Sequence, residues 1–290
     1  MKQILKKCWF LFLVFLLLTG CGGGGAAAGP ETLRVLCTTY PVYLLTTAVT
    51  QGTEGVTVSL LVNSQTSCLH DYTLSVSDMK AIEGADVVVK NGGGLEDFMG
   101  DALSHASAQI IDCSQGLALQ EGDPHLWMDP RLAGQMAGRI AQELARLDPD
   151  HASLYASNGE KTAASLLHFY EETAQTLRDV KHRELITFHD GFRYFADAYG
   201  LELLKAIEEE EGATASASEI REIVSLVENY GIPAIFTEKN GSTSSAQAIS
   251  AETGCGVGEL SMVMSGEGTG LDPYLDAMEK NCSVIREALG

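Results

Sequence analysis

Short apolar runs rich in β-branched residues alternate with amphipathic stretches along the chain from about residue 32 onwards. The apolar runs predict eight strands, at 33–39, 56–62, 86–92, 108–113, 184–190, 201–207, 232–238 and 255–261. Helical patterns separate successive strands, and short buried strands separated by helices are typical of parallel β/α units. The pattern therefore predicts an α/β protein built on parallel sheets.

One segment interrupts this alternation. Residues from about 150 to 180 contain no strand pattern and few helix breakers apart from Gly159. They predict a single long helix of about 40 Å at 1.5 Å per residue. A helix of this length between two α/β halves is expected to be a rigid spine. We therefore predict an N-terminal lobe (32–149), a linking helix (150–181) and a C-terminal lobe (182–290).

The N-terminus has the layout of a bacterial lipoprotein signal. Three lysines accompany an apolar core that is too short for a membrane span, and the core ends in LTGC at residues 18–21. We expect residues 1–20 to be removed, Cys21 to be acylated, and residues 21–31 to form a flexible tether to the outer face of the bacterial cell membrane. An ordinary signal peptide that contains a cysteine by chance is the alternative interpretation.

The chain is strongly acidic. Its 290 residues carry a net charge of −20, and removal of residues 1–20 takes away three lysines and no acidic residue, which leaves −23. So acidic a protein repels nucleic acid and anionic lipid, and we expect no nucleic-acid partner. The acidic run Glu208–Glu211 is interpreted as solvated surface.

Five cysteines follow the predicted lipidation site. None of them belongs to a CxxC motif, so the sequence does not support a zinc-ribbon or thioredoxin-like protein. Export permits disulfides. Cys255 could pair with Cys282, and Cys37, Cys68 and Cys113 could pair among themselves, which would leave one free thiol.

Three of the seven histidines lie where a predicted strand ends and a helix follows. His70 follows the second strand, and His189 ends the fifth. His125 lies in GDPHLWMDP (122–130), between two Asp-Pro corners that shape the loop. Ligands of parallel α/β sheets bind outside the carboxyl ends of the strands. Three imidazoles that meet there, in a cleft between two lobes, would form a metal site, and neutral imidazole suits zinc.

Each of these histidines also has a simpler interpretation. His70 could be hydrogen-bonded within its loop, His125 could cap the helix that follows, and His189 could be oriented by Asp190. The other four histidines lie on predicted helices or at their ends among polar residues. We expect them on the surface: His105, His151, His168 and His182.

Several longer motifs occur together and in one order along the chain. They are TTYPVYLLTTAV (38–49), LHDYTLSVSDMKAIEGADVVVKNGGGLEDFM (69–99), DPHLWMDP (123–130), FHDGFRYFADAYGL (188–201) and SASEIREIVSLVENYGIPAIFTE (216–238). This set resembles the zinc and manganese solute-binding lipoproteins of bacterial ABC importers, and the likeness covers nearly all of residues 32–290. The resemblance implies two α/β lobes joined by a rigid helix, with the metal in the cleft between them.

The resemblance also implies a ligand set. In that family the positions matching His70 and His125 are metal ligands. The position matching His189 is histidine in zinc-type members and glutamate in manganese-type members. The implied ion is therefore Zn²⁺, with Mn²⁺ as the alternative, because nitrogen ligands are softer than manganese prefers.

The chain departs from the family at the fourth ligand. Ser261 stands where an aspartate is often found. A later aspartate, Asp272, is expected to cap the last helix instead. The fourth position then falls to water, which we favour, or to Glu238. Asp71 and Asp190 are expected to compensate part of the ion's charge from behind the ligands.

These features predict an extracytoplasmic, lipid-anchored receptor that is monomeric and not an enzyme. It would capture zinc and deliver it to a membrane permease and its ATPase. The first alternative is a manganese or iron receptor of the same importer class. The second is a zinc hydrolase, since three histidines with an open position fit one, although the chain contains neither HExxH nor G-x-S-x-G. The sequence leaves a role in cell adhesion open.

Overall fold

Two four-stranded parallel sheets form the frame of the protein. The structure, a computed structural model, describes residues 32–63, 72–120, 122–207, 215–239 and 243–290. The strands in those ranges are β1 (Leu33–Cys37), β2 (Val56–Leu60), β3 (Val87–Lys90), β4 (Gln109–Asp112), β5 (Glu184–Thr187), β6 (Glu202–Ala206), β7 (Ala234–Glu238) and β8 (Gly256–Leu260). The strand orders are β2-β1-β3-β4 and β6-β5-β7-β8, with parallel pairing throughout. The predicted fold with two parallel sheets is confirmed.

Helices connect and cover these strands. In the part of the chain that the structure describes they are α1 (Tyr40–Val49), α2 (Val76–Gly84), α3 (Gly100–His105), α4 (Pro130–Leu147), α5 (Ala152–Arg178), α6 (Arg193–Tyr199), α7 (Ala217–Tyr230), α8 (Ser244–Thr253) and α9 (Asp272–Leu289). Between β3 and β4 the helical pattern, which runs over 95–106, gives only the short helix α3, because a 3₁₀ turn at Asp97–Met99 precedes it. Among these described helices, none combines the length and apolar character that a membrane crossing requires.

The long helix predicted between the two sheets is α5. It has 27 residues, which corresponds to about 40 Å, and a 3₁₀ turn at Pro149–His151 precedes it. Its apolar side chains Tyr155, Leu166 and Leu177 are buried. The helix packs along α4 and also contacts α6 and α9, so that it joins elements from both halves of the fold.

The N-termini of α7 and α9 differ in how they are capped. At α7, the Ser216 hydroxyl accepts the backbone N–H of Glu219, and the Glu219 carboxylate accepts the N–H of Ser216, which is a complete capping box. At α9 the prediction that Asp272 caps the helix is wrong. Leu271 occupies the N-cap position without a side-chain hydrogen bond, and the exposed Asp272 is the first residue of the helix. Its charge therefore acts on the helix dipole only.

The segment between β8 and α9 reaches back to the first sheet. The Tyr40 hydroxyl donates to the carbonyl of Glu267 at 2.7 Å, and the backbone N–H of Gly270 donates to Thr47 Oγ1 at 2.8 Å. Gly266 lies against the ring of Tyr40, where a Cβ would come within 2.8 Å of a ring carbon. This segment holds the second half of the fold against the first.

A second set of contacts joins the two halves on another side. The backbone N–H of Gln120 donates to the Tyr194 hydroxyl at 2.8 Å, and Gln120 Nε2 donates to Asp197 Oδ2 at 2.6 Å. Gln120 follows β4, whereas Tyr194 and Asp197 belong to α6. Hydrogen bonds thus connect the first half of the fold to the second at two separate places.

The suggested disulfides are not formed among the described cysteines. Cys37, Cys113, Cys255 and Cys282 are buried free thiols, and Cys68 lies outside the described residues. Cys255 packs in one hydrophobic cluster and Cys282 in another, so the suggested pair does not share a packing environment. Burial raises the pKa of both Cys37 and Cys282 to about 12, which leaves them as unreactive thiols.

The turn after β8 is held by one buried amide. Asn281 of α9 is 1% exposed. Its Oδ1 accepts the backbone N–H of Ser261 at 2.8 Å, and its Nδ2 donates to the Ser261 carbonyl at 2.8 Å. Both polar groups of the Ser261 backbone therefore depend on a single side chain.

Asn281→Ala is expected to lower the free energy of unfolding by about 2 kcal/mol, because it leaves the two part-buried backbone groups of Ser261 without their partner, at about 1–3 kcal/mol each where water does not replace it. Urea denaturation followed by circular dichroism measures the change. Asn229→Ala is the matched control, because Asn229 is an exposed residue of α7. Equal effects of the two substitutions would contradict the role given to Asn281.

Candidate metal centre

The structure brings two of the three predicted ligands together. The ring centres of His125 and His189 are 5.7 Å apart, and the ring planes are inclined by 81°. His125 comes from the loop after β4, and His189 comes directly after β5, so each half of the fold contributes one imidazole. The third predicted ligand, His70, lies outside the described residues, as does Asp71.

The orientation of His125 is fixed by an aspartate two residues earlier. His125 Nδ1 lies 2.8 Å from Asp123 Oδ1, and the same oxygen accepts the backbone N–H of His125 at 2.9 Å. Both residues are buried. A carboxylate only accepts hydrogen bonds, so the hydrogen of this neutral imidazole is on Nδ1 and Nε2 is left as the electron-pair donor. Nε2 is the atom that a metal ion would bind.

His189 also has a carboxylate beside its Nδ1. Thr187 of β5 is in register with Phe236 of β7. Two residues further along each of these parallel strands, His189 Nδ1 and Glu238 Oε2 are 3.7 Å apart. Glu238 is buried. The position between β5 and β7 is the point at which the strand order of the second sheet changes direction, where ligands bind in α/β folds.

Trp127 connects the His125 loop to the second half of the fold. Its buried indole lies 5.2 Å from the His125 ring between centres. Trp127 Nε1 donates to the carbonyl of Met262 at 2.8 Å, and the Trp127 carbonyl accepts the hydroxyl of Tyr274 at 2.6 Å. The imidazole from the first half is therefore held in place by contacts with the second.

Ser261 lies beside Glu238, but its hydroxyl is already engaged. Both residues line one small cavity that Lys239, Met262 and Met264 also line. Ser261 Oγ accepts the backbone N–H of Val263 at 3.1 Å. Val263 has a φ of 59°, which is unfavourable for a β-branched residue. Strained residues of this kind cluster at functional sites.

The arrangement fits a tetrahedral metal ion. Two ring nitrogens bound to zinc at ~2.0–2.1 Å place their ring centres roughly 5 Å apart, which is close to the distance found. Within the described ranges, no group of three or more histidine, cysteine, aspartate or glutamate side chains is placed to hold a metal ion by itself. A complete site thus needs a further donor, and His70 is the one that the sequence predicts.

Two carboxylates that were not predicted as partners of the histidines lie beside them. Asp190, which was expected to compensate part of the ion's charge, has its Oδ1 in an ion pair with Arg193 Nη2 at 3.8 Å. Glu238 is the carboxylate that lies beside His189, and Asp123 serves His125. The sequence contained a signal for both. Glu238 ends an apolar strand, and Asp123 precedes a proline next to the histidine.

The remaining histidines are away from this site. The ring nitrogens of His105, His151 and His168 contact residues of their own helices or turns. His105 and His168 are exposed, and His151 and His182 are partly exposed. The expectation that these four lie at or near the surface is confirmed.

Gly191 allows the close packing behind His189. A Cβ at Gly191 would overlap Met262 Cε and lie 3.1 Å from both Met262 Sδ and His189 Cδ2. Met262 is buried, so its flexible thioether would have to repack among its neighbours to make room. A side chain at this position would push either the thioether or the imidazole out of place.

Gly191→Ala is expected to lower the free energy of unfolding by about 1–3 kcal/mol, which is the usual cost of overpacking a buried site. Thermal or chemical denaturation measures this change in the free energy of unfolding. Gly138→Ala is the control, since a Cβ at Gly138 on α4 meets nothing within 4 Å. That control should be neutral or stabilising. A destabilisation of Gly138→Ala as large as that of Gly191→Ala would rule out the steric explanation.

Comparison with known proteins places this chain in a known family. The family model described as "Zinc-uptake complex component A periplasmic" (ZnuA) matches residues 35–288. The high-affinity zinc uptake system protein ZnuA of Bacillus subtilis is 26% identical over 318 residues, with 98% of each chain covered. The manganese-binding lipoprotein MntA of Halalkalibacterium halodurans is 26% identical over 301 residues, with 98% of this chain and 99% of that protein covered.

A solved structure shows the same architecture. The laminin-binding protein Lmb of Streptococcus agalactiae, described as a bifunctional protein with adhesin and metal transporting activity, superposes with a TM-score of 0.78. It is 29% identical, with 89% of this chain and all of that chain covered. The family match spans nearly the whole described fold, and the solved structure shares its two-sheet frame. The chain belongs to the ZnuA family of zinc and manganese solute-binding proteins.

Proposed function

We propose that this protein is an extracytoplasmic receptor that captures zinc through His70, His125 and His189. The observation that carries the proposal is the pair of imidazoles from the two halves of the fold, 5.7 Å apart between ring centres. Nitrogen donors of this kind favour zinc over harder ions. The ion is cargo, so the function is binding and transfer rather than chemistry, and we propose no enzymatic activity.

The place of His70 along the chain supports its inclusion. β2 pairs with β1 in the first sheet, and the described chain resumes at Tyr72, close to the start of α2. The loop after β2 therefore leaves the same sheet edge as the loop after β4, which contains His125, because all four strands are parallel. A third imidazole from that loop would leave one position of a tetrahedral ion for water.

Members of this family work with the permease and the ATPase of an ABC importer, and we propose the same partners here. Acylation of Cys21 and a tether over residues 21–31 would keep the receptor at the membrane as a monomer. The folded part would consist of the lobes 32–149 and 182–290 joined by the helix segment 150–181. The similarity to a relative named as a lipoprotein supports the anchor.

His125→Ala is expected to weaken zinc binding at least tenfold, because it removes a ligand whose orientation is fixed by Asp123. Competition with a chromogenic zinc chelator measures the affinity of the full chain. His168→Ala is the matched control, since the His168 side chain is 72% exposed on α5. An unchanged zinc affinity in His125→Ala would refute the proposed site.

Manganese is the second candidate cargo, and the similarity to MntA favours testing it. Ser261→Asp is expected to tighten manganese binding more than zinc binding, because it adds a hard oxygen donor to the cavity shared with Glu238. Ser265→Asp is the control, since Ser265 lines the same cavity and its replacement by aspartate adds the same charge. Competition among zinc, manganese and iron gives the selectivity. Equal changes in both variants would show that position 261 has no special relation to the ion.

A further inference from the structure

Glu238 is a buried carboxylate to which the proposed ligand set assigns no role. It ends β7, next to the end of β5, and its Oε2 lies 3.7 Å from His189 Nδ1. We propose that Glu238 is a positioning residue for metal binding. Its carboxylate holds His189 in the tautomer that carries the hydrogen on Nδ1, so that Nε2 is directed to the cargo ion. This inference rests on the proposed function.

The first half of the fold supplies an independent example of the same arrangement. Asp123 Oδ1 lies 2.8 Å from His125 Nδ1, and that distance is a hydrogen bond. Metal-binding histidines in proteins commonly donate their second ring N–H to a carboxylate, which fixes the tautomer and makes the ligand more basic. Because His125 is held in this way, His189 with a carboxylate at the equivalent ring atom completes a symmetrical pair.

The 3.7 Å distance between His189 Nδ1 and Glu238 Oε2 is too long for a hydrogen bond, and it leaves only a weaker attraction between the Nδ1–H dipole of the neutral ring and the carboxylate. A divalent ion at Nε2 withdraws electron density from the imidazole and makes its Nδ1–H a stronger donor. Hydrogen bonds of functional residues are often longer in the unliganded protein and tighten on binding. We therefore expect the contact between Glu238 and His189 to shorten when zinc is bound.

Charge balance gives a second reason for a carboxylate at this place. Three neutral imidazoles leave the double charge of the ion uncompensated, and Ser261 offers a hydroxyl rather than a carboxylate. Asp123 and Glu238 are both buried. One carboxylate behind each of two imidazoles would balance the ion without occupying its coordination sphere.

Glu238 also lines the cavity that contains Ser261, next to Lys239. Direct ligation of the ion by Glu238 is therefore the competing arrangement. The two arrangements differ in whether His189 Nδ1 must carry a hydrogen. A positioning role keeps the hydrogen on His189 Nδ1 and the metal on Nε2, whereas direct ligation does not require that tautomer.

The first measurement is zinc affinity of the full chain, compared across three variants. Glu238→Gln keeps the shape and an accepting oxygen but removes the charge, and it should weaken binding about tenfold. Glu238→Leu also removes the acceptor, and it should weaken binding up to about 100-fold. Glu259→Gln is the control, because Glu259 is exposed on the neighbouring strand β8. The zinc affinity of this variant should equal that of the original chain.

The second measurement detects the tautomer directly. Two-dimensional ¹H–¹⁵N spectra of histidine-labelled full chain, with His189 assigned from His189→Ala, report which ring nitrogen carries hydrogen. In the metal-free protein, His189 should be mainly the Nδ1–H form, and Glu238→Leu should shift the population towards the Nε2–H form. In the zinc-loaded protein, Nε2 of His189 should show the shift of a bound nitrogen. A general loss of structure would disturb all histidine signals rather than this ratio.

The outcomes separate this inference from the proposed function. If the original chain does not bind zinc, or binds it equally well as His125→Ala, the proposed function itself fails. If the original chain binds zinc but Glu238→Gln and Glu238→Leu both match Glu259→Gln, only the role of Glu238 is refuted. A metal bound to Nδ1 of His189, or an unchanged tautomer ratio in Glu238→Leu, would overturn it as well.

Discussion

The candidate centre depends on a carboxylate beside the Nδ1 atom of each of its two described imidazoles. Asp123 lies 2.8 Å from His125 Nδ1, and Glu238 lies 3.7 Å from His189 Nδ1. An imidazole alone can rotate and can carry its hydrogen on either nitrogen. A buried carboxylate restricts both choices. The remaining features of the site, including the indole of Trp127 and the small residue at Gly191, keep these two pairs close together.

Most of the fold could be predicted from the sequence because its strands are short, buried and rich in β-branched residues. All eight predicted strands are present, and each is shorter by two or three residues than its apolar run. Periodicity fails where local hydrogen bonding decides the structure. At 97–105 a 3₁₀ turn interrupts the helical pattern, and at α9 the N-cap position falls on Leu271 rather than on the aspartate after it.

The candidate site was only partly predictable for a different reason. His125 and His189 were identified because both follow predicted strands, and the structure places them together. The partners Asp123 and Glu238 depend on register: Glu238 meets His189 only because Thr187 is paired with Phe236. A single sequence does not give the register of two parallel strands that are distant along the chain. The suggestion that Cys255 pairs with Cys282 rested only on their common position in the C-terminal part of the chain, and it was wrong, because the two thiols pack in different hydrophobic clusters.

The hydrogen bonds that join the two halves of the fold bear on how its cleft could open. Tyr40, Thr47 and Gln120 each bond across to the other half, as does the indole of Trp127. At a net ~0.5–1.5 kcal/mol per bond, the five bonds given by these residues hold the halves together by about 2.5–7.5 kcal/mol. A fully separated form would then be a minor species, at most about one or two molecules in a hundred. Exchange of the cargo through small local movements would avoid that penalty, whereas wide separation would require free energy from an external binding partner.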